Sequence, residues 1–164
     1  MIQALEKRED EKLSVEKLHV LLKYLRENQA QKVDGIFRIS GRAETVRSVL
    51  ASLQKDINQP LPLPEDKEEC AYVVSTALKG YLTSSEISVV PVHQFDAFIA
   101  VPEGPEKLRV ATMKKLIDGL PAEHIKIIQC LAEFLQEVIS EEASNRMNIT
   151  NCGISTYQRP QCPF

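Results

Sequence analysis

The sequence predicts an all-α fold, a single multi-helix bundle, and three observations carry that expectation. Apolar residues recur at spacings of three and four in one segment after another. The prolines gather between those segments, or at the start of one, rather than in their interiors. A chain of 164 residues with 43% hydrophobic and 26% charged residues and no Trp has ordinary globular composition, so it suits one domain around a mainly aliphatic core.

The elements follow in order. Residues 1–12 form a charged N-terminal extension, and the block Glu6 to Lys12 leaves no room for the apolar stretch of a secretion signal. Ser14 is a candidate N-cap for a helix over 14–28 with Leu18, Leu21, Leu22 and Leu25 on its buried face. Val46, Val49, Leu50 and Leu53 mark a second helix, and Ala71, Val74, Leu78 and Leu82 a third. Between those two, Pro60, Pro62 and Pro64 alternate with other residues and exclude helix. A short helix over 92–100 should turn Phe95, Phe98 and Ile99 inward. Met113, Leu116, Ile117 and Leu120 carry the next stripe, and Pro121 fits the first turn of the helix after it. That helix, with Ile127, Ile128, Leu131, Phe134, Leu135, Val138 and Ile139, is the most apolar and is expected at the centre. Gly35 to Ile39 and Ile87 to Val90 hint at extended chain. The helical domain is expected over 13–154, followed by an irregular tail over 155–164 whose prolines oppose helix.

Several function classes drop out. Twenty Lys and Arg against 23 Asp and Glu give a net charge of −3, so no general field attracts nucleic acid. No segment reaches the ~18 apolar residues of a membrane-spanning helix. Cys70, Cys130, Cys152 and Cys162 have no paired spacing, and His19, His93 and His124 have no ligand spacing, so neither a metal site, a disulfide framework nor a catalytic histidine is indicated. The expected setting is reducing and cytoplasmic. A glycine-rich phosphate loop is missing, so no nucleotide or other cofactor is expected on this chain.

One segment breaks the helical pattern. Val33-Asp34-Gly35-Ile36-Phe37-Arg38-Ile39-Ser40-Gly41 is an apolar run with a single cation, bracketed by glycines. Burial of Ile36, Phe37 and Ile39 would fix the backbone and hold Arg38 at a set place. Its guanidinium can then snorkel to solvent or pair with Asp34 or Glu44, or it can be presented as a planar five-donor fork to a phosphate-bearing partner. Spacing alone leaves both open.

The run GIFRISG, between the helices LHVLLKYLRENQAQKVD and RAETVRSVLASL, resembles the signature of Rho GTPase-activating (RhoGAP) domains. Three further stretches fall in that family's order: YVVSTALKGYL with Lys79, the helix from Arg109 to Leu120 with Pro121, and Asn145-Arg146-Met147-Asn148-Ile149-Thr150-Asn151. The resemblance covers roughly 13–154. It implies that Arg38 is an arginine finger, placed on a loop between the first two helices and inserted into the active site of a Rho-family small GTPase (Rho/Rac class) in its GTP-bound form. It implies that Lys79 and Asn151 contact that GTPase, and that the chain activates a partner rather than being a self-contained enzyme. Arg42 is a further candidate for the GTPase contact, read from its place in a basic patch with Arg38 and Lys79. Asn148 stands where the family has Thr, another good helix cap.

The chain also departs from the family. Thr83 replaces an arginine that braces the finger loop, and Ser85-Glu86-Ile87-Ser88-Val89 replaces a proline-containing run. Either catalysis is weakened, giving a GTPase- or protein-binding module, or another cation such as Arg42 substitutes. Beyond Asn151 the expected further helices are missing, which implies a fragment or alternative product of lower stability than a complete domain.

Overall fold

Helix α1, Val15–Glu27, starts where Ser14 caps it: the Ser14 hydroxyl oxygen accepts the Lys17 N–H at 3.3 Å, and Leu18, Leu21, Leu22 and Leu25 are fully buried. This is a computed structural model that describes residues 14–84, 89–101 and 103–156. The first thirteen residues, which include the expected extension over 1–12, therefore lie outside the described residues. A second lock sits at the same helix start, where the Tyr81 hydroxyl accepts the Ser14 N–H at 2.7 Å and donates to the Ser14 carbonyl at 3.2 Å.

Helix α2, Ala43–Lys55, buries Val46, Val49 and Leu53, with Leu50 half-buried. Helix α3, Lys67–Ser84, follows the proline loop, which is irregular as expected. It buries Ala71, Val73, Val74, Ser75, Ala77, Leu78 and Tyr81. These positions cover more than half of its circumference, and α1 and α2 both pack against it. The centre of the bundle is thus α3, not the later apolar helix. Its alanines and serine are small enough to let neighbours approach from several sides, a feature that an apolar stripe does not advertise.

Helix α4, Val92–Ile99, packs chiefly on α5, Glu106–Asp118. Phe95 and Phe98 are half-buried, but Ile99, expected inward, is 62% exposed at the helix end. No residue of α5 is fully buried; Leu120, just beyond it, is. Helix α6, Ala122–Ser140, starts behind Pro121 and packs on α1 through Ile127, Phe134 and Val138. Arg26 ties the two helices together, donating from Nε to both Glu137 oxygens at 2.9 and 3.1 Å and lying 5.6 Å from the Phe134 ring centre.

Helix α7, Glu142–Asn145, is one turn long, and α8, Ile149–Thr156, ends the description. Asn148 caps α8 as expected, its Oδ1 accepting the Asn151 N–H at 2.8 Å. The helix continues to Thr156, contrary to the expected break after Asn151 and the irregular tail from 155. Pro160 and Pro163 lie too far along to oppose these two turns, and the rest of the tail, 157–164, is outside the described residues. On α8, Ile149 and Ile154 are both 73% exposed.

Neither expected extended segment is found among the described residues. Residues 34–38 form successive turns, because Gly35 (φ 69°) and Phe37 (φ 64°) are left-handed. Ile39, expected to be buried, is 41% exposed. Val89 and Val90 lie in a bend, while Ile87 and Ser88 are outside the described residues.

A buried asparagine fastens the far end of α6. Asn145 is fully buried; its Nδ2 donates to the carbonyls of Gln31 and Val138, each at 2.6 Å, and its Oδ1 accepts the Met147 N–H at 2.7 Å. Gln31 belongs to the 3-10 turn Ala30–Lys32, so one side chain joins that turn, α6 and the α7–α8 elbow. Asn145→Ala is expected to lower unfolding free energy by about 2–4 kcal/mol, since buried backbone groups lose their partners. A denaturant titration measures it, and a loss below about 1 kcal/mol would contradict this role.

Candidate functional site

The loop 33–41 leaves α1 by way of the 3-10 turn and enters α2. Its conformation begins with Gly35, whose left-handed backbone lets the N–H groups of Arg38 and Ile39 both reach the Gly35 carbonyl, at 2.9 and 2.8 Å. Phe37 then adopts the same left-handed region without being a glycine, a strain of roughly 1–2 kcal/mol. Burial offsets it: Ile36 and Phe37 are sealed in the core, and the Phe37 ring meets that of Phe134 edge-on, with centroids 6.1 Å apart at 75°.

Helix α3 supplies a polar stripe beneath the loop. Tyr72, Thr76 and Lys79, spaced by four and three, share one face. The Tyr72 hydroxyl donates to the Asp34 carbonyl at 2.9 Å, and the Thr76 hydroxyl oxygen accepts the Gly41 N–H at 3.1 Å. The Lys79 ammonium donates to the Phe37 carbonyl at 2.5 Å. Gly41 is required by proximity rather than conformation, because a Cβ there would stand 2.4 Å from the Val73 Cα. On the opposite flank, the Gly35 N–H donates to the Asn145 carbonyl at 2.8 Å.

Arg38 projects from this framework. Its side chain is 47% exposed, and its Nη2 lies 3.7 Å from Asp34 Oδ1, an ion pair without a hydrogen bond. Asp34 is one of the two acids that the sequence offered as partners. The carboxylate is more tightly engaged by Arg146, which donates from Nε to Oδ1 at 2.6 Å and pairs through Nη2 with Oδ2.

The other expected site residues fall around the same loop. Lys79 is half-buried under the loop rather than on an open helix face, and burial pushes its pKa below the ordinary lysine value. Thr83 turns its hydroxyl to the Lys79 carbonyl of its own helix, so it offers the loop nothing. Arg42 does not substitute as a brace: its Nε lies 2.8 Å from Glu69 Oε1, and its side chain is 79% exposed on the flank. Asn151 is half-buried, donating from Nδ2 to the Arg146 carbonyl at 3.3 Å. Arg38, Lys79 and Asn151 are thus connected through the loop and the elbow, with Arg42 to one side.

Sequence reasoning missed Tyr72, Thr76, Asn145 and Arg146. The first two had a usable signal, polar groups at helical spacing in register with Lys79 on a mostly apolar helix. Asn145 and Arg146 had only their place in the Asn-Arg-Met-Asn run.

Other features define what the arrangement is suited to. An apolar space of about 220 Å³ behind the loop is bordered by Phe37, Leu78, Leu82, Phe95 and Phe134. With Lys79 its sole charged neighbour among the described residues, it does not suit a nucleotide. Among the described residues no group of three His, Cys, Asp or Glu side chains could hold a metal ion, and no helix is long and apolar enough to cross a membrane. What the loop offers is one guanidinium on a fixed backbone, a geometry that serves charge stabilisation on another molecule.

Comparison with known proteins agrees with the fold. The family model for the RhoGAP domain matches residues 16–157. The chain is 28% identical over 131 residues to the probable Rho-type GTPase-activating protein 2 of Schizosaccharomyces pombe, covering 79% of this chain and 10% of that protein. To Rho GTPase-activating protein 28 of Mus musculus it is 31% identical over 140 residues, or 84% of this chain and 19% of that protein. Among solved structures, human Rho GTPase activating protein 15 superimposes with a TM-score of 0.73 at 21% identity, covering 85% of this chain and 65% of that one. The BH domain from GRAF, the GTPase regulator associated with focal adhesion kinase, gives 0.77 at 21% identity, covering 90% and 80%. The chain therefore spans only a small part of the two full-length relatives named, but the family match runs through its helices and through the loop that carries Arg38: it belongs to the RhoGAP domain family.

Proposed function

We propose that this domain stimulates GTP hydrolysis by a Rho-family small GTPase in its GTP-bound form, with Arg38 entering the partner's active site in trans. The observation that carries the reading is a contrast within one residue pair. The Phe37 backbone is bonded to Lys79 and its ring is buried, while the next side chain, Arg38, is half exposed with only a 3.7 Å ion pair. Phosphoryl transfer spreads negative charge over the γ-phosphate and leaving oxygens, and a desolvated guanidinium stabilises that charge more in the transition state than in the ground state. Such fingers are worth about 10³ to 10⁵ in rate, roughly 4–7 kcal/mol.

In this reading Lys79 acts on the finger through the Phe37 carbonyl, in the bracing place that Thr83 leaves open. Asn151 and Arg42 lie on either flank, where Asn151 hydrogen-bonds and Arg42 adds charge at the GTPase surface. Thr83 favours a second reading, a catalytically weak module that binds a GTPase or another protein, because a hydroxyl turned to its own helix cannot replace a charged fork.

Single-turnover GTP hydrolysis on a panel of Rho-family proteins separates the two. The parent chain is expected to accelerate hydrolysis by about 10³-fold or more; Arg38→Ala loses that acceleration but still binds, and Arg38→Lys does not restore it. Binding without acceleration selects the weak module, and neither binding nor acceleration overturns both readings. Lys79→Met is expected to lower the saturating rate roughly tenfold with little change in affinity, as suits a brace. A loss confined to affinity, read from the dependence of rate on domain concentration, would instead place Lys79 on the partner.

A further inference from the structure

We propose that Arg146 is a positioning residue for the finger: by occupying both oxygens of Asp34 it keeps that carboxylate from capturing Arg38. The inference rests on the reading of Arg38 as the finger and assigns a second arginine a part in the same reaction.

The geometry is a competition for one acid. Asp34 lies four residues before Arg38 in the loop, and the Arg38 side chain runs back across Gly35, where an added Cβ would stand 3.3 Å from Nη2. A shift of under an ångström would turn the 3.7 Å contact into a charge-assisted hydrogen bond. Arg146 stands in the way. Its Nε donates to Oδ1 at 2.6 Å and its Nη2 takes Oδ2, the two-pronged arrangement in which a guanidinium matches a carboxylate. Arg38 is left with the weaker, longer share.

The elbow that carries Arg146 is built for this aim. Arg146 is left-handed (φ 58°) and closes α7 by donating its N–H to the Glu142 carbonyl at 2.8 Å. The preceding residue, Asn145, is fully buried and takes the Gly35 N–H on its carbonyl. The same two residues therefore hold the loop backbone and neutralise the loop's acid. Asn151 adds a bond to the Arg146 carbonyl from α8. The Arg146 side chain is 66% exposed, so burial contributes little to its place and the carboxylate is what fixes it.

A double-mutant cycle tests the proposal. With the GTP-bound GTPase as substrate, Arg146→Gln is expected to lower the saturating single-turnover rate about fivefold while affinity moves less than about twofold, the scale of an exposed ion pair formed in the wrong place. In the Asp34→Asn background the same Arg146→Gln change should alter the rate by less than about twofold, because no acid remains to capture the finger. Equal losses in both backgrounds, or no loss in the first, would overturn it. Asp34→Asn leaves in place the backbone carbonyl that Tyr72 bonds, and melting curves check that each variant folds.

A readout on the free domain does not depend on the GTPase reading. Nuclear magnetic resonance relaxation of the Arg38 Nε–H should report a mobile side chain in the parent, a more ordered one in Arg146→Gln, and a mobile one again in the double variant. An Arg38 equally mobile in all three would contradict the proposal even if hydrolysis is accelerated. If the parent accelerates nothing, the functional reading fails, and the relaxation data still decide whether Arg146 and Arg38 compete for Asp34.

Discussion

The bond from the Lys79 ammonium to the Phe37 carbonyl stands between a strained turn and its collapse. Phe37 takes a left-handed backbone that a phenylalanine seldom adopts, and the residue after it carries the only cation of the loop. Remove the restraints and Phe37 would relax to ordinary geometry, carrying Arg38 to a new direction. Everything around the loop opposes that relaxation: the ring against Phe134, the Tyr72 and Thr76 hydroxyls from α3, and the Asn145 carbonyl from the elbow. Strain of this kind persists only where neighbours over-determine it.

The distribution of order matters for function. Backbone atoms in the loop are bonded from α3 on one side and from α7 on the other, yet the guanidinium at its tip is half exposed. In the proposed function, a loop whose backbone is already ordered gives up little backbone entropy when it meets a partner, so more of its interaction can go to the transition state. The core explains how this order is achieved. Helix α3 packs against both α1 and α2 and buries most of its apolar side chains, and the stripe that grips the loop grows from that helix.

The helices were legible in the sequence because leucine and valine spacing reports burial directly, as in the Leu18 to Leu25 face and the Val46 to Leu53 face. Ser14 and Asn148 were legible as caps for the same reason that they work, a short side-chain acceptor beside open N–H groups. The central role of α3 was not, since alanines and serine bury as well as leucine does but carry no strong apolar signal. Ile39 and Ile99 misled because each belongs to an apolar run, and a run does not say which of its members the chain leaves at a surface. The loop looked extended because its isoleucines and phenylalanine favour strands; the left-handed Phe37 is imposed by tertiary bonds that no local pattern records. Of the candidate site, the bracketing glycines together with the family resemblance singled out Arg38, and the resemblance alone singled out Lys79. Their mutual arrangement, with the lysine under the loop, depended on long-range contacts between residues 42 apart in sequence.

In the proposed function, a fixed loop presents Arg38 to charge that develops on a partner's phosphate. The most direct measurement is the affinity of the domain for a GDP-bound Rho-family GTPase, by titration calorimetry, with and without aluminium fluoride as a mimic of the transferring phosphoryl group. Fluoride is expected to strengthen binding of the parent chain by orders of magnitude and to leave binding of Arg38→Ala nearly unchanged. An equal gain for both proteins, or none for the parent, would contradict it.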